Sequence, residues 1–242
     1  MNDRRPFFKS PQELMRAAIN SVFRHEKAQS PKRQTRYDYT QGPMYYLGQQ
    51  IVKGMQDAGY PAKILYCHRS ADKQRELYAK GRTAPGRIVT NAEPWESAHQ
   101  YLEAVDIIHP SKAWDVTEKY WETLATVVRI VAEKYGVQLV HGHHWGFRDS
   151  AHIQMPDWRR AAKAHSLVQQ REFREYLRDK QERKEAGFSA PPKYVLRPPN
   201  DQELWTRFCE VLPDIAKRLV YDRRAPKGVE TPSALLPKPR KR

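Results

Sequence analysis

The sequence predicts an α+β fold, a small antiparallel sheet flanked by helices, followed by a helical, basic C-terminal extension. Three observations carry this. Four short strand-like runs begin near Lys63, Ala104, Gln138 and His152, each too brief for a helix. Longer stretches with helical periodicity lie between and around them, bounded by caps and glycines. From residue 157 onward, charge replaces apolar patterning as the dominant feature. Such a set of elements packs as helices against one small sheet.

The elements follow in order. Ser10-Pro11-Gln12-Glu13 reads as a helix start, with an N-cap, a proline in the first turn and a capping-box glutamate, and predicts a helix to about residue 24. Residues 27–40 are polar and irregular. An amphipathic helix is predicted over 44–58, stopped by Gly59, and a strand over 63–67. Ser70 caps a helix that runs through Lys80 to a stop at Gly81. Residues 82–98 form a long surface loop, of a length that is usually functional. A strand over 104–108 ends at Pro110. Asp115, with Glu118 three residues on, starts a helix that ends at Tyr135-Gly136. Strands over 138–140 and 152–155 flank the turn HGHHWGFRDSA. A charged helix spans 157–185, a proline-rich linker SAPPKYVLRPPN follows, Asn200 or Asp201 caps a helix to about residue 221, and PSALLPKPRKR forms a disordered basic tail.

Composition narrows the classes. With 39% hydrophobic and 29% charged residues, the chain is neither membrane-embedded nor disordered overall. No apolar run approaches the ~18 residues of a membrane span. The first residues carry basic side chains without an apolar h-region, which predicts synthesis in the cytoplasm without a secretory signal. Cys67 and Cys209 read as unpaired, buried thiols. The net charge of +15 divides as +5 over residues 1–42, +1 over 43–156 and +9 over 157–242. Basic flanks around a neutral centre suit a polyanion, an anionic envelope polymer or nucleic acid, and equally a solvated surface.

Chemistry concentrates in the centre. His99 stands at a loop end and Asp106 inside a strand, and forty-three residues later Asp149-Ser150-Ala151-His152 leads into another strand. A catalytic zinc takes three ligands from the His/Cys/Asp/Glu set and keeps one position open, so His99, Asp106 and His152 are candidate ligands and Asp149 a candidate base. Spacing alone does not separate this from histidines satisfied by backbone partners. His141, His143 and His144 lie close enough to compete with His152.

Three blocks then resemble the zinc peptidoglycan peptidases, the family of phage and bacterial L-alanyl-D-glutamate endopeptidases and D-Ala-D-Ala carboxypeptidases. They are Arg69-Ser70, Gln74 and Leu77–Thr83; Pro85–Ala92, Ser97-Ala98-His99 and Ala104-Val105-Asp106; and Trp145–Gln154. The likeness covers roughly residues 44–156. It implies a D-Ala-D-Ala peptidase or hedgehog-like fold, a Zn²⁺ cofactor held by His99, Asp106 and His152, Asp149 as general base and Arg69 as the cation on the substrate carbonyl. Gln74, Ser97 and His144 become candidate substrate contacts. The loop RTAPGRIVTNA is similar to the endopeptidase branch, which implies hydrolysis of the L-Ala–D-Glu bond in peptidoglycan stem peptides, as in phage endolysins acting on the wall after release. A carboxypeptidase of the same family, or a non-catalytic protein on this fold binding nucleic acid or a virion component, are the alternatives. Nucleic acid is not the expected main partner. The sequence departs from the family at Leu102-Glu103, where a glycine and a variable residue are usual, so the turn before Asp106 is expected to be reshaped. The domain map is a basic N-terminal helix and linker (1–42), a catalytic domain (43–156) and a basic helical extension with a disordered tail (157–242).

Overall fold

The computed structural model describes residues 42–222 and 224–235. The expected helix near residues 10–24 and the irregular stretch 27–40 lie outside them.

Helix α1 (Gly42–Asp57) buries Met44, Leu47, Ile51 and Met55. Their spacing of three or four residues puts them on one stripe. The helix stops before Gly59, whose φ of 83° is easily adopted without a Cβ. Strand β1 (Lys63–Tyr66) follows, then α2 (Ala71–Ala79), where the Ser70 hydroxyl accepts from the Lys73 amide at 3.1 Å as an N-cap should. After the 82–98 loop, a short 3₁₀ turn (Ala98–Tyr101) leads into the fully buried strand β2 (Ala104–Ile108).

Helix α3 (Glu118–Tyr135) begins three residues later than the Asp115 start that the sequence suggests. The chain is still turning there: Ala113 has φ 51°, and the amides of Asp115 and Val116 are taken by the carbonyls of Lys112 and Trp114. Gly136 ends the helix in the left-handed region as expected. Residues 137–139 are spent leaving it, so strand β3 is Val140–His141 rather than 138–140. Strand β4 is His152–Gln154.

The sheet order is β1-β2-β4-β3, antiparallel throughout, as expected of a small α+β domain. Its register matters for chemistry. Asp106 on the central strand β2 lies directly opposite His152 on β4. Paired residues on neighbouring antiparallel strands present their side chains to the same face.

Beyond the sheet, α4 (Trp158–Glu185) is the long charged helix. The proline-rich stretch after it is irregular but held: Arg197 bridges Glu172 (2.5 Å) and Glu203 (2.6 Å). The single helix expected from residue 200 or 201 to 221 is two, α5 (Asp201–Val211) and α6 (Pro213–Tyr221). Proline has no amide to donate and disfavours helical backbone in the residue before it, so Leu212 (ψ 57°) breaks the run and Pro213 opens a new one. Part of the expected disordered tail is ordered, with a 3₁₀ turn at Ser233–Leu235 that buries Leu235 near α6.

The boundary drawn at residue 156 does not divide the packing. Trp205 and Phe208 of α5 are fully buried in the cluster that holds Met44, Leu47, Val105 and Ile153, and Phe208 meets the ring of Tyr46 edge-on at 5.8 Å. No helix among the described residues is long and apolar enough to cross a membrane.

Candidate metal centre

Three atoms converge beside the central strands. The Nε2 of His99 lies 3.1 Å from Oδ1 of Asp106 and 3.2 Å from Nδ1 of His152, and that Nδ1 lies 3.1 Å from the same Oδ1. Each residue enters by a different route. Asp106 and His152 face each other through the β2–β4 register. His99 is carried by the 3₁₀ turn, whose exit at Leu102 adopts φ 58° and returns the chain to β2. Leu102 thus takes the left-handed backbone that costs a leucine more than a glycine. Burial of the Leu102 side chain in the core offsets a strain of about 1 kcal/mol.

The outer hydrogen bonds decide the tautomers. His99 Nδ1 donates to the carbonyl of Cys67 at 3.1 Å, and His152 Nε2 donates to Oε1 of Gln154 at 2.9 Å. With both protons turned outward, two nitrogen lone pairs and a carboxylate oxygen are aimed at one point. That arrangement is relieved by a metal ion among the three, or by protons that the imidazoles share with Asp106. Tetrahedral ligands at zinc-like bond lengths of ~2.0–2.1 Å would stand roughly 3.3 Å apart, close to the edges seen here. The donor set thus fits a metal ion, and among the described residues it is the one His/Cys/Asp/Glu group with such spacing. The hydrogen bonds from the ligands to Cys67 and Gln154 are of the kind that orients metal-binding histidines.

Charge around the centre is ordered. Burial works to raise the Asp106 carboxyl, but when protons rather than a metal ion occupy the group, charge and hydrogen bonds from His99 and His152 outweigh it and hold it well below the usual carboxylate range. Arg69 Nη2 reaches the other Asp106 oxygen at 3.1 Å, and Nη1 donates to Gln74 Oε1 at 3.1 Å. Gln74 is fully buried and passes its own amide protons to Thr90 Oγ1 and Ala92 O, tying the 82–98 loop to the site. Arg69 Nε is buried without a partner among the described residues, which leaves one donor unspent. Asp149 is partly buried, and burial together with the nearby Asp106 charge pushes its carboxyl above the ordinary range.

The remaining candidates fall differently. Ser97 is buried ahead of the 3₁₀ turn, and its hydroxyl makes no cap bond. His144 is exposed, edge-on to the rings of His141 and His143, with no hydrogen bond to the ligand set. His141 donates from Nε2 to Ser150 O, and His143 pairs with the Ser150 hydroxyl and Arg148. These bonds take both away from the three-donor group. Trp145 instead lies against His152, ring centres 5.3 Å apart.

Sequence reasoning passed over two contributors. Gln154 stands two residues after His152 on one strand, and that period-two spacing signals a shared face. Gly142 allows the Asp149 backbone to approach; a Cβ there would lie 2.5 Å from the Asp149 carbonyl oxygen. Only the folded loop reveals that contact.

No family model matches the chain. Among solved structures it is similar to the crystal structure of the Serratia marcescens L-Ala D-Glu endopeptidase ChiX, at 20% sequence identity and a TM-score of 0.36, over 52% of this chain and 91% of that one.

Proposed function

We propose that this chain is a zinc peptidase that hydrolyses the stem peptides of peptidoglycan, with the L-Ala–D-Glu bond as its target. The observation that carries the hydrolase reading is the triangle of His99, Asp106 and His152, three metal-donor atoms at tetrahedral spacing, with Asp149 beside them. The choice of peptidoglycan rests on the sequence blocks around Arg69, His99 and Trp145–Gln154.

A bound zinc would supply Lewis acidity toward both the scissile carbonyl and the attacking water. Asp149, its carboxylate made more basic by burial, takes the proton from that water and passes it to the departing amine. Arg69, permanently charged, stabilises the negative charge that develops on the carbonyl oxygen. Gln74 holds the guanidinium in place, and Ser97 and His144 are proposed to meet the peptide.

The basic extension is proposed to hold the enzyme on an anionic envelope polymer. Lys163, Arg171, Arg174 and Arg178 recur along one exposed side of α4 without ion-pair partners among the described residues. They span about 22 Å of helix.

The deciding experiment measures bound zinc and muropeptide cleavage for the wild type and Asp149→Ala, with mass spectrometry of the products. Zinc in both proteins and cleavage in the wild type alone supports the assignment. Release of terminal D-Ala makes it a carboxypeptidase, and absence of both zinc and cleavage, with tight DNA binding, makes it a binding protein.

A further inference from the structure

We infer that Glu103 and Arg207 are positioning residues for the metal centre, which makes α5 a working part of the site rather than an appendage. The inference rests on the metallopeptidase reading above. Glu103 lies between the ligands His99 and Asp106 and is 1% exposed, yet its carboxylate accepts from Arg207 Nε at 3.0 Å and Nη2 at 2.9 Å. Such a two-pronged pair fixes direction as well as distance. Arg207 is itself held, donating to Asp157 Oδ1 at 2.6 Å and to Glu210 Oε2 at 3.3 Å.

The backbone of Glu103 is tied at both ends too. Its amide donates to Ala98 O at 3.1 Å and its carbonyl accepts from the Met155 amide at 2.9 Å, joining the 3₁₀ turn to the end of β4. The residue is therefore clamped at amide, carbonyl and carboxylate within the segment that must deliver His99 Nε2 to Asp106 Oδ1. Its neighbour Leu102 closes on Gly42 together with Leu204 of α5. The ligand-bearing turn thus depends, through Glu103, on a helix a hundred positions away. Removal of the cation leaves a buried carboxylate uncompensated, and the turn must move to hydrate it.

The test uses the full chain, with zinc affinity read by competition against a chromophoric chelator and folding read by circular dichroism. Arg207→Met is expected to weaken zinc binding ten- to a hundredfold, the range seen when groups supporting metal ligands are lost. Arg207→Lys, which keeps the charge but not the fork, should recover part of that loss and covers the case in which Arg207→Met does not fold. Leu219→Ala, a buried change in α6, serves as a control for general destabilisation and should leave affinity within about twofold. Unchanged affinity in both Arg207 variants, or an equal loss in Leu219→Ala, overturns the inference and leaves the metallopeptidase reading intact. A wild type that takes up no zinc overturns both.

Discussion

Arg69 and His99 share one carboxylate: Arg69 Nη2 binds Oδ2 of Asp106 at 3.1 Å while His99 Nε2 faces Oδ1 at the same distance. The guanidinium thus orients one of the three candidate metal donors and keeps its positive charge beside them. Arg69→Lys retains the charge but cannot bridge Asp106 and Gln74 together. It is expected to lower kcat/KM on muropeptides by roughly 10²–10³ while zinc content stays near that of the wild type. Steady-state kinetics paired with metal analysis checks this, and a change below threefold would remove Arg69 from the mechanism.

Gly142 and Asp149 make a second pair that can be tested separately. A methyl group on Gly142 would sit 2.5 Å from the Asp149 carbonyl oxygen, so Gly142→Ala must push the loop and its carboxylate away. The expected result is an activity loss of about 10²-fold, approaching that of Asp149→Asn, with zinc still bound. If Gly142→Ala cleaves stem peptides at the wild-type rate, Asp149 does not act from this position.

Acid should weaken the α4–α5 junction before it reaches the core. Burial works to raise Glu203, but the hydrogen bonds from His165, the Asn200 amide and Arg197 prevail and lower it from its ordinary 4.5 to about 2. A carboxyl depressed in the folded state contributes stability above its unfolded pKa, and that contribution is lost as pH falls through the folded value. The window is therefore pH 4.5 down to about 2. Chemical denaturation across this range should show about 2 kcal/mol of pH-dependent stability that Glu203→Gln abolishes. An unaltered acid limb in the variant would contradict the assignment.

The exposed cations of α4 carry a prediction about salt. Replacing Lys163, Arg171, Arg174 and Arg178 with glutamine should weaken binding to walls that bear anionic polymer and reduce the slope of log affinity against log salt by roughly two to four. Cleavage of soluble muropeptides should not change. Sedimentation with purified walls at several ionic strengths measures the first, and a slope equal to that of the wild type would mean the charges are merely solvated. Stronger retention on duplex DNA than on walls would redirect the assignment to nucleic acid.

The departure at Leu102-Glu103 shows the limit of local reading. Leucine in a left-handed turn looks unfavourable in sequence, because the backbone cost is local and visible. The compensation is not local: Leu102 is buried beside Gly42 and Leu204, and Glu103 finds its cation at Arg207. The break at Leu212-Pro213 was, by contrast, open to reading, since proline's effect on its neighbour needs no tertiary partner.

By itself the sequence determined the element types, the α+β class and the candidate set His99, Asp106, His152 and Asp149. Periodicity, caps and the chemistry of individual side chains act over a few residues. Tertiary structure alone decided which histidines converge. The β2–β4 register sets His152 opposite Asp106, and hydrogen bonds to Ser150 draw His141 and His143 away. It also decided that the C-terminal helices share the core, because the partner of a buried carboxylate lies 104 residues along the chain and only packing brings the two together.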